Sequence, residues 1–226
     1  MRILVVNPVG TKIWDKKDEE YLRRFARKDT SIKVLSLKEG PSSLETFQSK
    51  VSVCPEIIQL VKRHKGDYDA IMINCFGDPC VEAIREVVDV PVLGPGETSM
   101  LIASLLGHKF SVISPTKKTA LQVESHARAL GIEQRLASVV GLDIPVLDLE
   151  RDMEKTVKAV VEASEKAIRD GAEVIVLGCT GLAYMADEIQ KRLNVPLIEP
   201  ASLTLKMAES FVDLQLRHSK VALYGT

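Results

Sequence analysis

Two cysteines of this chain stand just after short apolar runs, an arrangement that can place a thiol at the end of a buried strand. The run Ala70–Ile73 shortly precedes Cys75, and the run Val174–Leu177 shortly precedes Cys179. Short uncharged runs of this kind are typical of strands buried on both faces of a parallel sheet. Both thiols are therefore expected at C-terminal strand tips, where a group with an ordinary pKa of about 8.5 can exchange protons near neutral pH.

A helix is expected directly after Cys75. Asp78 is a suitable helix N-cap, and Pro79 is a favoured first helical residue. The positive end of a helix dipole stabilises a thiolate, so this placement would lower the pKa of Cys75. The alternative is an inert apolar cysteine that closes a core strand.

The second cysteine belongs to a repeat of the first. The stretch DYDAIMINCFG aligns with GAEVIVLGCTG, and each is followed by a Val-Pro pair, at residues 90–91 and 195–196. The chain thus contains a duplicated unit of strand, cysteine, helix, strand and helix. Core packing alone gives no reason for a thiol at the same strand end twice, so both cysteines are candidates for chemistry.

Duplication also suggests how the two thiols could work together. Two homologous halves related by a pseudo-twofold axis would present Cys75 and Cys179 from opposite walls of one pocket. One thiolate could then remove a proton from a carbon while the other thiol returns a proton to the opposite face. No cofactor is needed if a neighbouring carbonyl acidifies that carbon, and backbone N–H groups after each cysteine can stabilise the enolate oxygen.

Composition limits the classes of function. The chain has 226 residues, 46% of them hydrophobic, and a formal net charge of -1 from well-mixed charged residues. This mixture lacks the basic stripe of a nucleic-acid-binding protein and the polybasic segment of a membrane anchor. No run resembles a signal peptide or reaches the roughly 18 apolar residues of a membrane span. We expect a cytoplasmic protein with four free cysteines, and its few Asn and Gln residues hint at a heat-adapted source.

Strands and helices alternate along the sequence. Strands are expected at 3–6, 32–37, 70–73, 110–114, 136–140 and 174–177, and helices at 15–28, 55–65, 97–106, 116–130, 151–170 and about 201–217, with an irregular loop at 38–50. This order predicts an α/β fold of two pseudo-symmetric half-domains, each a mostly parallel sheet flanked by helices, with the active site in the cleft between them. We divide the chain into residues 1–96 and 97–226, with the last helix able to pack back on the first half.

Together these features resemble the aspartate/glutamate/hydantoin racemase superfamily, and within it the hydantoin racemases most. The matching segments are Asn7-Pro8, GPSSLET at 40–46, NCFGDP at 74–79, LGHKFSVIS at 106–114, IPVLDLE at 144–150 and VLGCTGL at 176–182. NCFGDP is discriminating, because the amino-acid racemases usually place a small polar residue after the first cysteine, where this chain has Phe76. The chain departs from the pattern at Val9-Gly10 and at Cys80.

The resemblance implies a cofactor-independent racemase of 5-substituted hydantoins in which Cys75 and Cys179 exchange the proton. It further implies that the side chains of Asn7 and Ser43 contact or cap the substrate. Carbonyl oxygens of the ring would be bound by the backbone N–H groups of four residues, namely Phe76, Gly77, Thr180 and Gly181. No metal is expected, because the four histidines show no ligand spacing. The partners would be a small ureide and further copies of the chain, without nucleic acid or membrane.

Other hypotheses stay open on the sequence. An enzyme of this kind could racemise allantoin or an acidic amino acid, whereas a decarboxylase would use one thiol only. A duplicated α/β fold could also bind a small ligand without catalysis, and its cysteines would then be incidental. A redox pair of Cys75 and Cys80 is a third possibility that leaves Cys179 unexplained. Otherwise Cys54 and Cys80 are expected to be bystanders.

Overall fold

The computed structural model of the protein describes residues 1–225, which form two four-stranded parallel sheets and their helices. The chain divides into two compact units. Unit 1 comprises Met1–Pro95 together with the residues from Thr204 onward, and unit 2 comprises Gly96–Leu203. The predicted α/β class with two parallel sheets is confirmed.

The sheet of unit 1 has the strand order β2-β1-β3-β4. Its elements are β1 (Arg2–Asn7), α1 (Asp15–Arg23), β2 (Ser31–Ser36), α2 (Phe47–Ser52), α3 (Cys54–Arg63), β3 (Ala70–Ile73), α4 (Val81–Val87) and β4 (Val92–Leu93). All four residues of β3 are buried, as expected for a strand covered on both faces. Val6 of β1 lies opposite Ile73 of β3, so the residues that follow these strands emerge at one edge of the sheet.

The sheet of unit 2 repeats this order as β6-β5-β7-β8. Its elements are α5 (Pro95–Leu106), β5 (Phe110–Ser114), α6 (Lys117–Ala129), β6 (Leu136–Gly141), α7 (Met153–Arg169), β7 (Val174–Leu177), α8 (Ala186–Gln190) and β8 (Leu197–Ile198), with 3-10 turns at Glu133–Arg135, Val146–Asp148 and Thr180–Met185. The last helix, α9, is Pro200–Asp213. No helix within residues 1–225 is both long and apolar enough to span a membrane.

Several local expectations are wrong. The helices expected at 15–28 and about 201–217 end earlier, at Arg23 and Asp213. The helix after Cys75 begins at Val81 with Cys80 as its N-cap, not at Pro79 with Asp78 as the cap. Asp78 and Cys80 have φ angles of 46° and 62°, the left-handed region that interrupts a helix. The loop expected at 38–50 is also shorter, because a Thr46 and Ser49 capping box starts the two-turn helix α2 inside it.

The segment after α9 packs on unit 1 through Arg85 and Val92. The Val92 N–H donates to His218 Nε2 at 2.8 Å, and Arg85 donates to the Val92 carbonyl at 2.9 and 3.1 Å. Arg85 also stacks on the Tyr224 ring, and Lys220 donates to the Arg85 carbonyl. Burial, reinforced by the charges of Arg85 and Lys220, lowers the pKa of His218 to about 4.

This packing predicts an acid-sensitive C-terminal segment. A histidine in the unfolded chain titrates near 6.5, so the neutral His218 stabilises the packed segment above that pH, and the stabilisation is lost as the pH falls from about 6.5 to 4. Hydrogen exchange of the Val92 amide, corrected for intrinsic rates, should show lower protection at pH 4.5 than at pH 7. His218→Gln should remove this pH dependence, and equal wild-type protection at both pH values would contradict the assignment.

Candidate active site

Cys75 lies in the tight turn that joins β3 to α4. The Asn74 N–H donates to the Val6 carbonyl at 2.8 Å and so extends the sheet by one residue. The chain then makes a tight turn. The Cys75 N–H donates to the Ile73 carbonyl, and the Asp78 N–H donates to the Cys75 carbonyl at 3.0 Å. Cys75 as a residue is partly exposed at this strand tip, where the sequence placed it, although its thiol group is buried.

The environment of Cys75 differs from the expected helix terminus. Burial raises the pKa of the Cys75 thiol, and the Asp78 carboxylate raises it further. The Lys50 ammonium and the Gly77 N–H oppose this rise. The expected lowering of the Cys75 pKa below its ordinary value is therefore wrong, because the thiol is densely packed and the helix begins only at Val81. Lys50 was not identified from the sequence.

Asn7 is committed to a polar network at the same sheet edge. Its Nδ2 donates to Asp15 Oδ1 at 3.1 Å and to Asp18 Oδ2 at 2.8 Å, so both amide hydrogens are used. Its Oδ1 accepts from Asn74 Nδ2 at 2.9 Å, and Ser36 Oγ donates to Asp15 at 2.5 Å. Asn7 could therefore bind a substrate only by accepting a further hydrogen bond at Oδ1. A substrate role for Asn7 stays a prediction.

The sequence did not single out Asp15 and Asp18. They lie in the first turn of α1, where the helix dipole favours negative charge, and both are partly buried. Their only sequence signal was an acidic helix start, which is typical of any surface helix.

Ser43 lies on the loop between β2 and α2. The Ser43 hydroxyl donates to Glu45 Oε1 at 2.9 Å, and Ser43 is partly exposed. The loop is fixed beside the end of β1, because the Gly10 N–H donates to the Pro41 carbonyl and a Cβ on Gly10 would lie 2.4 Å from the Gly40 oxygen. The structure thus places Ser43 on an anchored loop, and its contact with substrate stays a prediction.

Cys54 and Cys80 form a disulfide, with their Cα atoms 5.5 Å apart. The expectation of four free thiols is wrong, and the proposed redox pair of Cys75 and Cys80 is excluded by this bond. The bridge ties the start of α3 to the end of the Cys75 turn, across 26 residues of sequence. Cys54 Sγ also lies 3.3 Å from the Lys50 carbonyl oxygen at the end of α2. The bridge therefore helps to hold the turn that carries Cys75 beside α2.

Cys179 occupies the matching place in unit 2. The Gly178 N–H donates to the Ile113 carbonyl at 2.7 Å, and the chain leaves the sheet at Cys179 in an extended conformation. The Gly181 N–H points at Cys179 Sγ, 3.4 Å away, and the Leu182 N–H donates to the Cys179 carbonyl at 3.1 Å. A Cβ on Gly178 would lie 2.9 Å from the Ile113 oxygen, so glycine permits this close approach.

The two units therefore hold their cysteines in the same way. The second residue after each cysteine is a glycine: the Gly181 N–H donates to Cys179 Sγ, and the Gly77 N–H lowers the pKa of Cys75. Such donors stabilise a thiolate. Thr180 is partly exposed at its turn, whereas the Phe76 side chain is only 4% exposed, so Phe76 can offer a substrate little more than its backbone.

Chemically, each turn combines a free thiol with at least one donor aimed at it. Cys75 and Cys179 are the two free cysteines. Within residues 1–225, no group of three or more His, Cys, Asp or Glu side chains could hold a metal ion. Each site is thus suited to move a proton at sulfur.

Comparison with known proteins identifies racemases that are similar to this chain. The family model of Asp/Glu/Hydantoin racemase matches residues 3–208. The chain is 36% identical to a hydantoin racemase of Pseudomonas sp. (strain NS671), over 99% of this chain and 91% of that protein. It is similar to the crystal structure of allantoin racemase from Pseudomonas fluorescens (TM-score 0.95, 33% identity, 100% and 97% of the two chains). It is also similar to allantoin racemase from Klebsiella pneumoniae (TM-score 0.94, 30% identity, 99% and 92%).

The disulfide generates a prediction about stability. Unfolded, unreduced protein should titrate two thiols rather than four, and peptide mapping should recover Cys54 linked to Cys80. Because the bridge closes a loop of 26 residues, reduction should lower the free energy of unfolding in urea by about 3 kcal/mol. The double variant Cys54→Ser/Cys80→Ser is the control, since its stability should not respond to reductant. Four reactive thiols in the unreduced protein would contradict the bridge.

Proposed function

Because the chain belongs to the Asp/Glu/hydantoin racemase family and is an isomerase of the racemase type, we propose that it racemises 5-substituted hydantoins by proton transfer between Cys75 and Cys179. The observation that carries this proposal is the pair of matched turns, each with a free cysteine just after a buried strand and, two residues later, a glycine whose N–H favours the thiolate. A ligand-binding protein with incidental cysteines would not need this repeated geometry.

The reaction moves one proton off a carbon and another onto it. The thiolate of one cysteine removes the proton from C5 of the ring, and the electron pair of that C–H bond moves onto the adjacent carbonyl as an enolate. The thiol of the other cysteine then gives its proton to the opposite face of C5. The two sulfurs have exchanged protonation states, so the same pair can run the reaction for the other enantiomer.

Backbone donors account for stabilisation of the enolate oxygen. The N–H groups of Phe76 and Thr180 are the donors proposed for this oxygen, because those of Gly77 and Gly181 act on the two sulfurs. Fixed donors of this kind stabilise developing negative charge without reorganising during the reaction. Ser43 and the free acceptor capacity of Asn7 would orient the ring, and no cofactor or metal takes part in this scheme.

Substrate class is supported by the named relatives. One relative, 36% identical to this chain, is named hydantoin racemase, and hydantoins are neutral planar ureides. Allantoin is the second candidate, because the two similar solved structures are those of allantoin racemases. Both substrates present an acidic carbon beside a carbonyl in a ureide ring, so the same thiol chemistry serves either.

The protein is further proposed to act as a homo-oligomer in the cytoplasm. Helix α5 exposes Leu101, Leu105 and Leu106, with Leu105 at 79% exposure, and such an apolar surface is typical of subunit contacts.

The disulfide argues against an ordinary reducing cytosol. Intracellular proteins of hyperthermophiles do retain disulfides, which agrees with the heat-adapted composition.

The mechanism predicts opposite labelling by two single variants. Cys75→Ser and Cys179→Ser should each lower racemisation by about 10²–10⁴-fold, because a serine hydroxyl is too weak an acid and base at neutral pH. In D₂O, the remaining thiolate can still remove a proton from one enantiomer and return deuterium to the same face. Each variant should therefore label one enantiomer without inverting it, and the two variants should label opposite enantiomers, as followed by mass spectrometry and chiral chromatography.

The double variant Cys75→Ser/Cys179→Ser is the matched control and should neither label nor invert. Full racemisation by either single variant, or labelling of the same enantiomer by both, would eliminate the two-thiol mechanism.

A substrate panel tests the proposed class. Single enantiomers of several 5-substituted hydantoins, allantoin, aspartate and glutamate should be followed by polarimetry, with and without prior dialysis against a chelator. Hydantoins should lose optical rotation fastest, at a rate that dialysis does not change. Turnover confined to allantoin would make the second candidate the function, and turnover of the amino acids alone would refute a ureide substrate.

A further inference from the structure

The two cysteine turns differ at one equivalent position. A Cβ atom built on Gly77 would lie 2.5 Å from Lys50 Cε and 2.6 Å from Lys50 Nζ. A Cβ atom built on Gly181 would lie 3.5 Å from Leu149 Cδ1 and 3.4 Å from Cys179 Sγ. Each glycine is the second residue after its cysteine, so the repeat places an ammonium group over one turn and an apolar methyl group over the other.

Lys50 is held in this position by its surroundings. It lies in the last turn of a short helix, α2, that a capping box starts at Thr46. The Cys54–Cys80 bridge lies next to it, with Cys54 Sγ 3.3 Å from the Lys50 carbonyl. The Lys50 ammonium lies 5.6 Å from the centre of the Phe47 ring, a distance at which a cation is attracted to the ring face. The half-buried amine therefore reaches the Cys75 turn from a constrained backbone.

The charged groups around the Lys50 amine indicate which anion it stabilises. Burial lowers the pKa of Lys50, whereas the charges of Cys75 and Asp78 raise it. Cys75 is affected reciprocally, since burial raises its pKa and Lys50 lowers it. A half-buried cation is costly unless anions accompany it, and here the two candidates are the thiolate and the Asp78 carboxylate.

We propose that Lys50 is a positioning residue for proton transfer, in which its ammonium is the counter-charge of the Cys75 thiolate while Leu149 occupies the equivalent place beside Cys179. This inference rests on the proposed two-thiol function and makes the pair electrostatically unequal. When Cys75 loses its proton, an ion pair forms over the Gly77 turn. The Lys50 ammonium thus offsets part of the desolvation that otherwise resists the thiolate.

The remaining charged groups near Cys75 do not replace Lys50. Asp78, on the same turn, opposes the thiolate. Asp18 lies behind Asn74, whose Nδ2 donates to Asp18 Oδ2 at 3.3 Å, and it is likewise negative. Asp15 is engaged by Asn7 and Ser36. Among these groups from α1, α2 and the turn itself, Lys50 carries the positive charge.

Unequal thiols have a defined kinetic consequence. A racemase reaches equal amounts of both enantiomers at equilibrium, so kcat/KM must change by the same factor for each direction. Loss of Lys50 should therefore lower both values of kcat/KM together and move the rising limb of the pH profile to higher pH. A purely structural role would lower the rate by a similar factor at every pH.

The test measures the Cys75 thiolate without any substrate. In a Cys179→Ser background with the disulfide intact, Cys75 is the one free thiol, and its alkylation by neutral iodoacetamide is followed from pH 6 to 11.5. Lys50→Met should raise the alkylation midpoint by about one pH unit and lower the rate at pH 7 about tenfold, as expected for loss of a nearby opposite charge. Lys50→Arg should keep a midpoint near that of the parent.

Leu149→Met is the matched control, since it alters the equivalent position in unit 2 and should leave the Cys75 midpoint unchanged. An unchanged midpoint in Lys50→Met, or an equal rise in Leu149→Met, would overturn the inference. If Lys50→Met does not fold by circular dichroism, Lys50→Gln takes its place in the same comparison. Because alkylation needs no turnover, a protein that racemised no hydantoin would still report the effect of Lys50, so the two proposals fail separately.

Discussion

Desolvation of a thiol at the tip of a buried strand is the constraint on which the site depends. Strands β3 and β7 are buried along their whole length, and burial raises the pKa of Cys75, which follows β3. That environment favours the neutral thiol, whereas proton abstraction needs the thiolate. The Gly77 N–H and the Lys50 ammonium oppose this effect at Cys75, and the Gly181 N–H donates to the sulfur of Cys179.

The backbone after Cys75 has an unusual conformation. An ordinary helix start at Pro79 would have carried the chain away in a regular turn. Instead, Asp78 and Cys80 adopt left-handed conformations, which for residues other than glycine cost free energy and persist only where the surroundings enforce them. The disulfide from Cys80 to Cys54 is one such enforcement, and the packing of the Asp78 carboxylate against Gly94 is another.

The elements that could be predicted from sequence are those set by local pattern. The buried runs gave β3 and β7 with the observed bounds, because four apolar residues bounded by turn residues leave few alternatives. Lys50 was missed because its helix is two turns long and opens with a Thr46-Ser49 box, which lacks the acidic third residue of the usual signature. The disulfide was missed because its cysteines are 26 residues apart and pair only through the folded loop.

The two repeated units differ most in the connections between their strands, which are the parts that are hardest to predict from sequence. Both units keep the same strand order and a glycine two residues after the cysteine. The connections from the second strand to the third differ: unit 1 uses α2 and α3, whereas unit 2 uses a 3-10 turn at Val146–Asp148 and the long helix α7. Lys50 lies in the last turn of the first of these helices, and Leu149 follows the 3-10 turn. The repeated sheet thus supplies two cysteines in equivalent places, whereas the different connections put different side chains beside them. Two thiols with the same chemical role can therefore have different electrostatic surroundings.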